Sequence, residues 1–181
     1  MKPRLLLLAA FALAACREED AILPDPVAMN ADSLGHFCQM NLLEHAGPKA
    51  QVHLEGMPYP LFFSQVRDAV AYARMPESDG VITAIYVSDM SAAPSWEDPG
   101  AENWVLAEEA RYVVGAAIEG GMGAPELVPF STPEDAVAFA AERGGTVVQL
   151  TEIADEDVLA PVEFRLDEDG NFLPPENAPL H

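Results

Sequence analysis

The chain has 181 residues, 50% of them hydrophobic, with 9 Lys and Arg against 30 Asp and Glu and a formal net charge of −21. That is apolar material for one ordinary core or two small ones, which excludes a large multidomain enzyme and a fully disordered chain. The acid excess excludes a coat for DNA or RNA, whose binding rests on neutralising phosphate, so no nucleic-acid partner is expected.

Lys2 and Arg4 precede an unbroken apolar run over 5–13, then Leu13-Ala14-Ala15-Cys16. Residues 1–15 read as a secretory signal, too short to span a bilayer as a mature helix. Small residues before a Cys resemble the bacterial lipoprotein signal, which implies cleavage before Cys16 and acylation there. The plain alternative is a signal peptide with a chance Cys. No other segment could cross a membrane, so the lipid would hold the mature protein on the periplasmic face. In enteric bacteria Asp after the lipidated Cys tends to mark inner-membrane retention. Residue 17 is Arg, which points to the outer membrane.

Acylation of Cys16 leaves Cys38 as the one free thiol in an oxidising compartment. It is a reactive thiol, an intermolecular bridge, a ligand, or a buried inert residue that packs as a small hydrophobe.

Residues 16–33 read as a tether, Pro- and Asp-spotted from position 21. Two similar units follow, over 34–90 and 102–153, joined by a Pro-rich linker over 91–101. In the first, 37–43 and 50–54 are expected as strands meeting near Gly47-Pro48. An internal repeat then appears. Residues 63–74 (FSQVRDAVAYAR) match 130–141 (FSTPEDAVAFAA) at seven of twelve positions. Both windows read as helices, with Val66, Ala69, Val70 and Ala73 at i, i+3, i+4 and i+7. Thr132-Pro133-Glu134-Asp135 is a helix start and Gly144-Gly145 a stop. Strand-like runs follow each window, at 81–87 and 146–153. In the second unit, 104–107 and 112–116 would repeat the opening strands, although the run Leu106-Ala-Glu-Glu-Ala110 consists of good helix formers. Each unit is therefore strand–strand–helix–strand, an α+β fold with the two units packed together. The acidic stretch 154–181 reads as a tail, with a possible early edge strand through Val162, Phe164 and Leu166 and a disordered end.

Chemistry concentrates in two places. Cys38 and Met40 lie two apart, and on a strand they would share one face. A thiolate and a thioether are soft donors that select Cu(I), and they suit Ca²⁺ or Mg²⁺ poorly. His36 has the same parity and could be a third donor or a partner of the thiolate. The second place is Met122 in Glu119-Gly-Gly-Met-Gly-Ala-Pro125. Glycines offer freedom and no packing surface, so the loop can present this Met closely to something. Met90, at a strand end, could add a thioether, though core or rim suits it better. Met29 lies in the tether and Met57 beside Pro58, and neither is counted as a donor. His45 and His53 read as surface or supporting residues, and His181 is terminal. No Gly-x-Gly-x-x-Gly, Walker loop, Gly-x-Ser-x-Gly or Cys-x-x-Cys occurs. A thiol hydrolase built on Cys38 would crowd its partners too tightly in sequence.

The run Gly35-His-Phe-Cys-Gln-Met40, the segment Gly47-Pro-Lys-Ala-Gln51, the strand end Tyr86-Val-Ser-Asp89 and Gly120-Gly-Met-Gly-Ala-Pro125 together resemble the NosL family over about 28–153. That resemblance implies a non-enzymatic Cu(I) chaperone for assembling the tetranuclear copper–sulfide site of nitrous oxide reductase. It implies two ββαβ units similar in topology to part of the organomercurial lyase. The partners it implies are the copper-handling membrane ABC complex of the same system and, through it, the apo-reductase. Its Cys-x-Met pair maps onto Cys38 and Met40, and its glycine-flanked Met onto Met122. Two other readings stand beside it. A metal-free acidic lipoprotein scaffold would leave the sulfurs idle. An organomercurial-lyase-like enzyme would need more than one reactive thiol, and this chain offers one.

Overall fold

The computed structural model describes residues 23–77, 79–161 and 168–169. The signal over 1–15, Cys16, the start of the tether and the suggested strand through Val162, Phe164 and Leu166 lie outside the described residues, as does the C-terminal end. None of the described helices is long and apolar enough to cross a membrane.

Strand β1 (Ala50–Leu54) leads through a turn at Gly56 into β2 (Leu61–Phe63), helix α1 (Val66–Arg74) and β3 (Ile82–Ser88). Strand β4 (Trp104–Leu106) follows. The second unit is β5 (Arg111–Val114), β6 (Val128–Phe130), helix α2 (Pro133–Arg143) and β7 (Thr146–Gln149), and a short α3 (Asp155–Leu159) closes the described chain. The first sheet runs β2-β1-β3-β4 and the second β6-β5-β7, antiparallel throughout. Each unit is thus ββαβ with its first strand central in its sheet, and the α+β class stands.

The strands filling that pattern differ from expectation in the first unit. Residues 37–43 form no strand. Gln39 adopts φ 57°, and Asn41 accepts from Leu43 N–H at 2.8 Å to start a 3₁₀ turn over Leu42–Glu44. An apolar run interrupted by a left-handed residue and an Asn cap cannot sustain a ladder. The opening strand is β1, and the Pro-containing stretches before each helix supply β2 and β6. Residues 104–106 join the first sheet as β4, pairing Tyr86 with Leu106, so the second sheet begins only at Arg111. Residues 107–109 are a turn, and the last strand ends at Gln149 before a second 3₁₀ turn.

Strand β1 is buried along its whole length. Ala50, Val52 and Leu54 face the core shared with α1, while Gln51 and His53 face the other way. That second face is covered by the segment read as a tether. Gln51 accepts from Val27 N–H and donates to Val27 O, and Tyr86 donates to Pro24 O. Met29 is buried, and its N–H donates to Ala101 O. Residues 24–29 are therefore a layer of the fold. So is α3, which begins the stretch read as a tail. Val158 is buried in the main core, and Arg67 donates to the carbonyls of Asp157 and Ala160. The main core includes Tyr112 and Leu127 of the second unit beside Val66, Val70 and Phe63 of the first, so the two units share one interior. A smaller cluster of Val113, Val128, Phe130 and Ala136 lies under α2.

Candidate metal centre

The loop over residues 34–41 is closed by a bridge between Leu34 and Asn41. Gly35 N–H donates to Met40 O at 2.9 Å, and Gln39 N–H donates to Gly35 O at 2.8 Å. The Gln39 side chain donates to the carbonyls of Gly35 and His36 from outside. His36 N–H donates to Phe62 O at 2.6 Å, which seats the loop on β2. Cys38 and Met40 therefore come from one tight loop, and the same-face argument for a strand does not apply to them.

Cys38 is partly exposed, and its Sγ stands 3.7 Å from Ser64 Oγ, with Ser64 itself buried. Gly35 is required here: a Cβ on it would lie 2.5 Å from Cys38 Sγ. The loop of Met122 reaches the same residue from the other unit. A Cβ on Gly121 would stand 3.3 Å from Ser64 O, 3.0 Å from Ala46 O and 2.7 Å from His45 Cβ. No side chain fits between this loop and the first unit. Gly120 N–H donates to Ala124 O, and Gly123 N–H donates back to Gly120 O, at 2.9 Å each. Ser64 is thus the meeting point of the two sulfur-bearing loops. Met40 is 41% exposed and Met122 38%. Leu34 and Phe37 are also exposed beside Cys38.

His36 belongs to the same loop and packs into an aromatic group. Its ring lies among Phe37, Phe63 and Tyr72, at centroid separations of 5.4, 5.6 and 5.5 Å. Its Nε2 is 3.6 Å from Asp79 Oδ2, and the Tyr72 hydroxyl donates to that same carboxylate oxygen. The geometry makes it a brace for the Cys38 loop. Met90 packs against the smaller core cluster, the core role that suited it better. Among the described residues no three His, Cys, Asp or Glu side chains converge as a metal site. Cys38, Met40 and Met122 are sulfur residues, of the donor class that suits Cu(I) better than hard cations.

Sequence reasoning passed over a buried polar cluster behind the loops. Glu126 is 2% exposed and Gln65 fully buried. Burial pushes the Glu126 carboxyl up to about 8, against its bonds from the backbone of Arg67 and Leu127. Lys49 is also buried, which lowers it to about 8, and its ammonium donates to the carbonyls of Ala46 and Gly47. His45 Nε2 is buried without a partner. The one signal in the sequence was an acid set between Pro125 and the apolar pair Leu127-Val128.

The NosL family model matches residues 26–158. The copper-binding lipoprotein NosL of Achromobacter cycloclastes is 58% identical over 160 residues, covering 87% of this chain and 83% of that protein. The copper-binding lipoprotein NosL of Stutzerimonas stutzeri is 33% identical over 152 residues, covering 82% and 77%. The crystal structure of the copper chaperone NosL from Shewanella denitrificans superposes with a TM-score of 0.67 at 30% identity, over 72% of this chain and 96% of that one.

Proposed function

This chain belongs to the NosL family, and from that premise we propose that it carries Cu(I) for assembly of the copper–sulfide site of nitrous oxide reductase. It is not an enzyme; copper is its cargo. The observation that carries the reading is the meeting of the Cys38 and Met122 loops on Ser64, with both methionines exposed.

Cys38 is the anchor. Its thiol loses a proton as the Cu–S bond forms, and the thiolate neutralises the single charge of Cu⁺. Met40 is the second donor and Met122 the third. Thioethers do not titrate and do not pair into disulfides in an oxidising compartment. Two or three sulfur donors leave an open position, so an incoming ligand can bind before an outgoing one leaves. The glycine loop suits Met122 to the step that engages and releases. The expected receivers are the membrane ABC complex of the system and, through it, the apo-reductase. A lipid on Cys16 would hold the chain on the periplasmic face, at the outer membrane. The ββαβ unit is proposed to share its topology with part of the organomercurial lyase.

The test is anaerobic titration of the full chain in detergent with Cu(I) against a chromogenic chelator. One tight equivalent that is lost in Cys38→Ser supports the carrier. Met122→Leu should alter the rate of release more than occupancy. Equal Cu(I) retention by Cys38→Ser would refute the site, and no uptake at all by wild type would leave the scaffold reading.

A further inference from the structure

Helix α1 begins at Val66, and the residue before it, Gln65, makes no side-chain bond to cap it. The cap comes from the other unit. Glu126 Oε1 accepts from Arg67 N–H at 3.0 Å and from Leu127 N–H at 2.9 Å. Arg67 N–H is a donor that the helix start leaves open, and Leu127 N–H lies just ahead of β6. The second carboxyl oxygen, Oε2, has no partner, and neither has Gln65 Oε1. Both side chains crowd the underside of Gly120, where a Cβ would lie 2.2 Å from Glu126 Oε2 and 2.4 Å from Gln65 Nε2. Gln65 Nε2 donates to Ala124 O at 3.1 Å, the carbonyl on which the glycine loop closes.

Two buried acceptors without donors are costly. A hydrogen carried on Glu126 Oε2 would turn that oxygen from an orphaned acceptor into a donor. One oxygen taking two N–H groups while the other takes none is the pattern of a neutral carboxylic acid. Of the charges around it, Lys49 lowers the carboxyl's value, by less than burial raises it. Lys49 directs its ammonium to backbone carbonyls and forms no ion pair among the described residues, and Asp68 on α1 adds to the raised value. Arg67 meets Glu126 through its backbone, while its guanidinium lies on α3.

We propose that Glu126, as a neutral acid, and Gln65 are positioning residues that hold the Met122 loop against Ser64 and Cys38. The proposal rests on the carrier reading of that site. Residues 64–67 then join every part: Ser64 meets the thiol, Gln65 ties the loop, and Arg67 N–H receives the acid that follows the loop. A shift of Glu126 would move Met122 and the start of α1 together.

The experiment is hydrogen–deuterium exchange of the full chain in detergent without copper, paired with the rate of Cu(I) release to a chelator from the loaded protein. Glutamine keeps one acceptor and one donor, so Glu126→Gln should hold exchange over residues 119–124 within about twofold of wild type. Glu126→Ala should speed it about tenfold or more and quicken Cu(I) release, with β1 and β3 still protected. Between pH 7 and pH 9, corrected for intrinsic exchange, the wild-type loop should loosen and the Gln variant should not. Wild-type protection in Glu126→Ala, or a loop as open in Glu126→Gln as in the Ala variant, would overturn the proposal. If Glu126→Ala loses protection in β1 and β3, Gln65→Ala takes its place: a loosened loop supports the tie and an unchanged one overturns it. Failure of wild type to take up Cu(I) would remove the carrier reading alone, since the exchange measurement needs no metal.

Discussion

Helix α1 buries Val66, Arg67, Ala69, Val70, Ala71 and Tyr72, whereas α2, built on the matching window, buries only Ala136. Val70 is 3% exposed and its counterpart Val137 is 59% exposed. The difference lies in what each helix is packed against. Helix α1 sits between the first sheet, the second unit's Tyr112 and Leu127, and α3, which Arg67 and Arg74 bind by hydrogen bonds and an ion pair. Among the described elements, helix α2 packs chiefly on its own three-stranded sheet. The serines that open the two windows diverge as well. Ser64 meets the thiol of Cys38. Ser131 donates to Asp89 Oδ2 at 2.7 Å, and its N–H donates to Oδ1. The loops delivering these groups dock alike: His36 N–H donates to Phe62 O, and Met90 N–H to Pro129 O. A repeated frame therefore offers the same niche twice. One half fills it with a sulfur loop, and the other with a carboxylate that fastens the units together.

That contrast can be broken most sharply at the two niches. Cys38→Ser should lower Cu(I) affinity roughly a hundredfold or more, with a change in unfolding free energy under about 1 kcal/mol. Asp89→Ala should do the reverse, costing about 3 kcal/mol of stability through three lost charge-assisted bonds, one from Ser91 N–H and two from Ser131, and leaving copper affinity near wild type. Chelator competition and denaturant melts on both variants would decide it, and a large copper defect in Asp89→Ala would dissolve the distinction. Gly35→Ala should fall on the copper side, because its methyl would occupy the place of Cys38 Sγ. We expect about a tenfold or greater loss of affinity there.

The helices give a smaller effect. Val70→Ala should cost about 2 kcal/mol, from two methyls lost to a closed interior, and Val137→Ala under about 0.5 kcal/mol. Equal costs in urea unfolding would show that α2 is covered by something else. A separate effect is expected in the pH dependence. The folded-state value of Glu126 is raised from 4.5 to about 8, so the native state binds its proton more tightly than the unfolded chain does. That contribution is complete below pH 4.5 and is lost as pH rises to about 8. Lys49, lowered from 10.5 to about 8, works in the opposite sense above that range. Glu126→Gln should flatten the decline between pH 5 and 8, and an unchanged slope would assign it to other groups.

Much of the frame was legible in one dimension. The repeat, its amphipathic spacing and the Thr132-Pro133 start placed α1 and α2, and Gly144 stops α2 at φ 76°. These are local signals, carried by side-chain period and by covalent limits on φ. The identities of Cys38, Met40 and Met122 were equally readable, because donor softness belongs to the residue type. Their placement was not. An apolar run such as 37–43 fits a strand until Gln39 and Asn41 turn it, and periodicity cannot see a loop closed by Gly35 and Met40. Nor could the sequence reveal that residues 24–29 cover one face of β1, that 104–106 complete the first sheet, or that Val158 enters the core. Glu126 and Arg67 stand 59 positions apart and meet only because the second unit packs on the start of the first helix. The sequence by itself determined the two repeated helices, the soft donors and the acidic charge, since each is a property of a residue and its near neighbours. The tertiary structure decided which niche received the thiol, which helix was buried and which acid lost its water, because those depend on contacts that chain order does not encode locally.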